Sequence, residues 1–146
     1  KADVVAISST TALISNAFRT ADVIKKYDKK IKVVIGGPHA TADPVHCLSN
    51  ENVDVALIGE GEISLHKILQ VFQNDQPLNN VEGVAFRNGK GEIITSSPSL
   101  IKNIDELPFP AYDLLPLDEY KSPYSTRKPF TSMCRTRGCS YVCTYC

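Results

Sequence analysis

The chain has 146 residues, of which 42% are apolar and 22% charged. That apolar content supports a buried core and excludes wholesale disorder. Lys plus Arg and Asp plus Glu stand at 16 each, which argues against a strongly basic protein built for nucleic acid or a membrane surface.

Three short β-branched runs come first: residues 3–8, 31–37 and 53–59. Continuous apolar runs of this length suit strands of a parallel sheet buried on both faces. Helical spacing separates them. Residues 12–27 place Ile14, Ala17, Phe18, Ala21 and Ile24 on one face, with Lys25 and Lys26 near the end where cations favour the helix dipole. Asp43-Pro44 reads as a helix start, and residues 62–74 carry Leu65, Ile68, Leu69 and Phe72 at helical spacing. The Lys25–Lys32 charge run reads as a solvated helix end and turn. A hairpin follows, residues 83–87 and 92–95 around Asn88-Gly89-Lys90-Gly91. The reading is an open α/β sheet, Rossmann-like and flavodoxin-like, over residues 1–97. Residues 98–130 hold six prolines among scattered apolar residues and read as an extended linker. Residues 131–146 begin something else. No apolar run approaches the roughly 18 residues of a membrane span, and no signal-peptide pattern is present. The only Met is Met133, so the expectation is a piece of a longer protein. The edge of its first strand is then expected to be open and able to self-associate.

In such a sheet ligands bind beyond the carboxyl ends of the strands. Three loops leave those ends: Ser8-Ser9-Thr10-Thr11, Gly36-Gly37-Pro38-His39-Ala40-Thr41 and Gly59-Glu60-Gly61-Glu62. Their small residues let a large ligand approach the backbone. A dinucleotide site is disfavoured, because Ser64 stands at the third glycine position and Glu60 and Glu62 oppose a pyrophosphate. The plainer alternative is a set of tight turns and caps. His39 is either a ligand or a surface or hydrogen-bonded loop residue, His46 beside Cys47 reads as helix packing, and His66 as a helix position that faces solvent or a polar contact.

Four of the five cysteines lie in the last 13 residues, so the expectation is a reduced, cytoplasmic protein with a C-terminal metal or redox site. Cys139, Cys143 and Cys146 have the spacing C-x3-C-x2-C. Three close thiolates can hold three corners of an iron–sulfur cubane and leave the fourth iron open. A zinc site using Cys134 as a fourth ligand, or free thiols, are the alternatives.

That spacing, with Tyr145 before the last cysteine, resembles the radical S-adenosylmethionine (SAM) signature. Thr136-Arg137-Gly138-Cys139 and the stretch from Ile104 to Pro116 (IDELPFPAYDLLP) resemble the cobalamin-binding branch of that superfamily. Gly36-Gly37-Pro38-His39-Ala40-Thr41, Gly59-Glu60-Gly61-Glu62 and the Ser9-x-Thr11 element are similar to loops of its B12-binding domain. Anaerobic magnesium-protoporphyrin monomethyl ester cyclases and related methyltransferases are the nearest picture. Two departures stand out: Ser140 occupies a position where the family often has Pro, and no Asp-x-His-x-x-Gly motif is present.

The resemblance implies a partial B12-binding domain joined by the linker to the start of a radical SAM barrel. It implies cobalamin on Ser8, Ser9, Thr10, Thr11, Gly36, Gly37, Pro38, His39, Ala40, Gly59, Glu60, Gly61 and Glu62. It implies a [4Fe-4S] cluster on Cys139, Cys143 and Cys146, with its open iron chelating SAM and Tyr145 near the adenine. The implied reaction of the full-length enzyme is methyl transfer or oxidative cyclisation of a small-molecule substrate, with no catalytic residue in this stretch and no activity of this stretch alone. The competing readings are a radical SAM enzyme whose sheet domain does not bind B12, and a flavodoxin-like binding module with a zinc or thiol tail.

Overall fold

The computed structural model describes residues 2–98, 100–127, 129–134 and 136–144. The chain divides into two compact units, Lys1–Lys102 and Asn103–Cys146.

The first unit is an α/β sheet. Strands β1 (Val4–Ser8), β2 (Lys32–Gly36) and β3 (Val55–Leu57) are parallel neighbours, and β4 (Val84–Arg87) and β5 (Ile93–Thr95) add an antiparallel hairpin beside β3. The order runs β1-β2-β3-β4-β5, which leaves β1 at an edge. The hairpin therefore extends the sheet. Asn88 holds its turn, accepting from Lys90 N and Glu92 N on one carbonyl oxygen.

The pleat sends alternate side chains to opposite faces. Val33 and Ile35 of β2 and Ala56 of β3 pack with Ile14, Ala17 and Ala21 of α1 (Ile14–Tyr27). Ala40 of α2 (Pro38–Ala42) and Cys47 of α3 (Pro44–Cys47) join the same layer. Val34, Val55, Leu57, Val84 and Phe86 pack instead with Ile68 and Val71 of α4 (Gly61–Gln73). The expected inward face of α1 is the observed one. On α4 the stripe is rotated: Leu69 is exposed, while Ser64 and Val71 are buried. The packing against β3, Val81 and the hairpin, which adds Val84 and Phe86 to that layer, decides the rotation.

Two local expectations change. The Gly36–Thr41 stretch, read as a loop, winds into α2 from Pro38, because proline presets the first helical φ. Lys25, read as solvated, is a clamp: its Nζ lies 2.6 Å from Asp54 Oδ2 and donates to Ile31 O at 2.7 Å. Asp54 Oδ2 also accepts from Val33 N at 2.7 Å. This ties the end of α1 to the starts of β2 and β3, at the end of the sheet opposite the loops that matter below.

The second unit carries no α-helix or strand among its described residues. It holds three 3-10 turns, Ile104–Glu106, Tyr112–Leu114 and Leu117–Glu119. Asn103 starts the first, its side chain accepting from Asp105 N at 3.1 Å. No helix of the described residues is long and apolar enough to cross a membrane.

Candidate functional site

Parallel pairing of β1 with β2, Ser8 opposite Gly36, brings the first two loops out side by side. Ser9 N donates to Gly36 O at 2.9 Å, and His39 N donates to Ser9 O at 3.2 Å. Gly37 makes this closeness possible. Its φ is +93°, and a Cβ there would sit 2.8 Å from Ser8 Oγ and 3.0 Å from both Ser9 N and Ser9 O. No other residue type takes that backbone and that contact without strain.

Thr41 ties in the third loop. Its hydroxyl donates to Gly37 O at 3.1 Å and accepts from Gly59 N at 3.0 Å. Glu60 Oε2 then accepts from Ile101 N at 2.5 Å, joining this loop to the segment that leaves β5. The three loops named from the sequence thus form one rim.

The rim residues split by exposure. Ser8, Thr10, Thr11, Pro38 and Glu62 are exposed; Gly36, Gly37, Gly59, Glu60 and Gly61 are half-buried. Ser9, His39 and Ala40 are buried and shape the rim from below. His39 is not a free ligand: Nδ1 lies 3.1 Å from Thr11 Oγ1 and Nε2 lies 2.8 Å from His46 Nδ1. His46 also packs edge-on against Phe18, at 5.5 Å between ring centroids. Its backbone N–H is capped by Asp43 Oδ1 at 2.9 Å, as the Asp-Pro helix start anticipates. His66 is exposed, as expected.

Two residues that matter here were missing from the site as read from sequence, His46 as the partner of His39, and Ser64; Thr41 was named with its loop, but not as the bridge to the third. Ser64 is 1% exposed, and its Oγ has no hydrogen-bond partner among the described residues. Its place in the Gly59-x-Gly61-x-x-Ser64 pattern was the available signal. A buried hydroxyl without a partner beside a polar rim is consistent with a ligand that completes it.

The cysteine segment is different. Cys134, Cys139 and Cys143 are free and exposed. Cys134 Sγ donates to Thr136 O, and Cys139 Sγ accepts from Tyr141 N. Arg135, Tyr145 and Cys146 lie outside the described residues, so neither the third thiolate nor the aromatic position has a described geometry. Among the described residues no group of three or more His, Cys, Asp or Glu is assembled to hold a metal. Cys47 belongs to the core, where burial, helped by Asp43, pushes its thiol up to about 11.

The rim is the part that comparison with known proteins addresses. Residues 1–69 match the model of the B12 binding domain, and that span contains all three loops. The chain also has curated relatives. An uncharacterised methyltransferase of Pyrococcus horikoshii is 34% identical over 99% of this chain and 31% of its own length. The anaerobic magnesium-protoporphyrin IX monomethyl ester cyclase of Synechocystis is 30% identical over 78% of this chain and 22% of its own. The chain therefore spans less than a third of the length of these relatives. Among solved structures, the apo cobalamin-dependent S-adenosylmethionine radical enzyme OxsB shares the fold. Its TM-score is 0.62 at 18% identity, over 76% of this chain and 16% of that one.

Proposed function

We propose that this chain is part of a cobalamin-dependent radical SAM enzyme that performs methyl transfer or oxidative cyclisation on a small-molecule substrate. One observation carries the reading: the three loops spanned by the B12-binding match converge on a single rim, held together by Gly37 and Thr41. Cobalamin would be held there by the backbones of Gly36, Gly37 and Gly59 and by the exposed hydroxyls of Ser8, Thr10 and Thr11. Ser9, His39, Ala40 and Thr41 would set the shape of the seat. Cys139, Cys143 and Cys146 would hold a [4Fe-4S] cluster; three cysteines at C-x3-C-x2-C spacing suit a cluster with one open iron. When bound, cobalamin carries methyl groups or single electrons, and the cluster supplies the electron for SAM cleavage.

What the chain's own residues do is bind and orient. Gly37 and Gly59 bring backbone to the ligand. Glu60 fixes where the chain leaves the sheet toward the cysteines. The open edge of β1 is proposed to pair with a further strand, supplied by a second copy when this stretch is isolated.

The test is the cobalt, iron and sulfide content of the full-length protein, expressed anaerobically with cobalamin supplied. About four irons with roughly one cobalt per chain supports the proposal. Iron without cobalt leaves a radical SAM enzyme whose sheet serves another role. Zinc in place of iron overturns the radical reading.

A further inference from the structure

Behind the rim, three side chains from three segments touch in series. Thr11 Oγ1 lies 3.1 Å from His39 Nδ1, and His39 Nε2 lies 2.8 Å from His46 Nδ1. His39 is only 5% exposed, and the two imidazoles meet edge to face at 5.1 Å. The outer ends of this chain differ in kind. Thr11 is exposed on the rim, whereas His46 is exposed beside Phe18 of α1.

Counting protons limits what the chain can do. A neutral imidazole carries one N–H, and a contact between two ring nitrogens needs one proton between them. Two arrangements satisfy both contacts. In one, His39 Nε2–H donates to His46 Nδ1, and Thr11 donates its hydroxyl proton to His39 Nδ1. Thr11 then faces the rim with lone pairs alone. In the other, His46 Nδ1–H donates to His39 Nε2, and His39 Nδ1–H donates to Thr11 Oγ1. The hydroxyl proton of Thr11 is then free for an acceptor on the rim. In each arrangement both histidines carry the same tautomer. Unlike tautomers would put two protons, or none, into the 2.8 Å contact.

We propose that His39 and His46 are positioning residues that set, through coupled tautomers, whether Thr11 offers a ligand on the rim a donor or an acceptor. The ligand class is one bearing peripheral amides, which can answer either polarity. Its identification as cobalamin rests on the function proposed above, but the coupling itself does not.

The experiment uses the full-length protein labelled with ¹⁵N-histidine, with imidazole ¹⁵N shifts as the first readout. Like tautomers at His39 and His46, and loss of the fixed tautomer at His39 in His46→Ala, are the expected results. Unlike tautomers, or a His39 that averages between them in the unaltered protein, overturn the proposal. The second readout is hydroxocobalamin affinity. Thr11→Val should weaken it about fivefold, the equivalent of one hydrogen bond. His46→Ala should weaken it two- to threefold, His46→Asn should restore it, and His46→Ala should add nothing in the Thr11→Val background. Strictly multiplicative effects overturn the coupling. Both altered positions are exposed, and a thermal melt of each variant verifies that it is folded before its affinity is read. If the unaltered protein takes up no cobalamin, the cofactor reading fails, and the tautomers alone decide the proposal.

Discussion

The two units of this chain solve the same problem in opposite ways. Residues 2–98 place their β-branched runs under helices on both faces, and Val33, Ile35, Val55, Ala56 and Ile68 reach zero exposure. Residues 103–144 are also well supplied with apolar side chains, yet Phe109 is 88% and Tyr124 97% exposed. The difference is periodicity. Apolar residues at spacing 2 or 3.6 can share one face and exclude water together; apolar residues parted by Pro108, Pro110, Pro116 and Pro123 cannot. The first unit holds its shape through its own core. The second carries cysteines at C-x3-C-x2-C spacing, which we propose a bound cluster would order.

Substitutions sharpen this contrast. Ile35→Ala should cost about 2–5 kcal/mol in urea denaturation, the range for deleting a buried branched side chain. Leu114→Ala, at a site 78% exposed, should stay within about 0.5 kcal/mol. Equal effects would erase the distinction. Glycines test it next. Gly37→Ala should destabilise by about 1–3 kcal/mol from the backbone conformation, beyond any clash with Ser8 and Ser9. Gly89→Ala, with nothing within 4 Å of the added carbon, should leave the melting temperature unchanged. Thr41→Val removes both bonds that tie the second loop to the third, for about 1–2 kcal/mol. It should speed amide exchange at Gly59 while leaving Ile35 protected.

Thiol chemistry gives the smallest and most direct comparison. In the reduced, metal-free protein Cys134, Cys139 and Cys143 should react with a thiol reagent at once, and Cys47 only on unfolding. The Cys47 thiol is raised from 9.0 to about 11. Between those values the unfolded chain releases its proton while the folded chain keeps it. Stability on this account is whole below pH 9 and falls as pH rises through about 11. Cys47→Ala should flatten that alkaline fall in denaturation midpoints measured across pH 8–11.

Local signals made the strands, α1, α4, the Asp43-Pro44 helix start and the Asn88–Gly91 turn readable, because each depends on residues close in sequence. The three rim loops were readable for the same reason, since every strand of this pattern ends in small residues. The bridge made by Thr41, the clamp of Lys25 on Asp54 and the pairing of His39 with His46 were not. Each depends on where a neighbouring element ends, and a histidine seven residues from another has no defined distance to it until α2 and α3 are in place. The same holds for Ser64, which reads as a failed glycine pattern until its burial shows a hydroxyl without a partner among the described residues.

By itself the sequence determined an α/β sheet with a hairpin, small residues where its strands end and a cysteine spacing suited to three-point ligation. These are statements about periodicity, turn chemistry and covalent reach. Tertiary structure decided the rest: which face of α4 is inward, that the hairpin widens the sheet beyond β3, and that the Thr41 hydroxyl and Gly37 hold the rim. It also turned His39 from a candidate ligand into the centre of a hydrogen-bonded chain. The physical reason is that a side chain's role follows from its partners, and those partners come from segments brought together only by the packing of the two layers on the sheet.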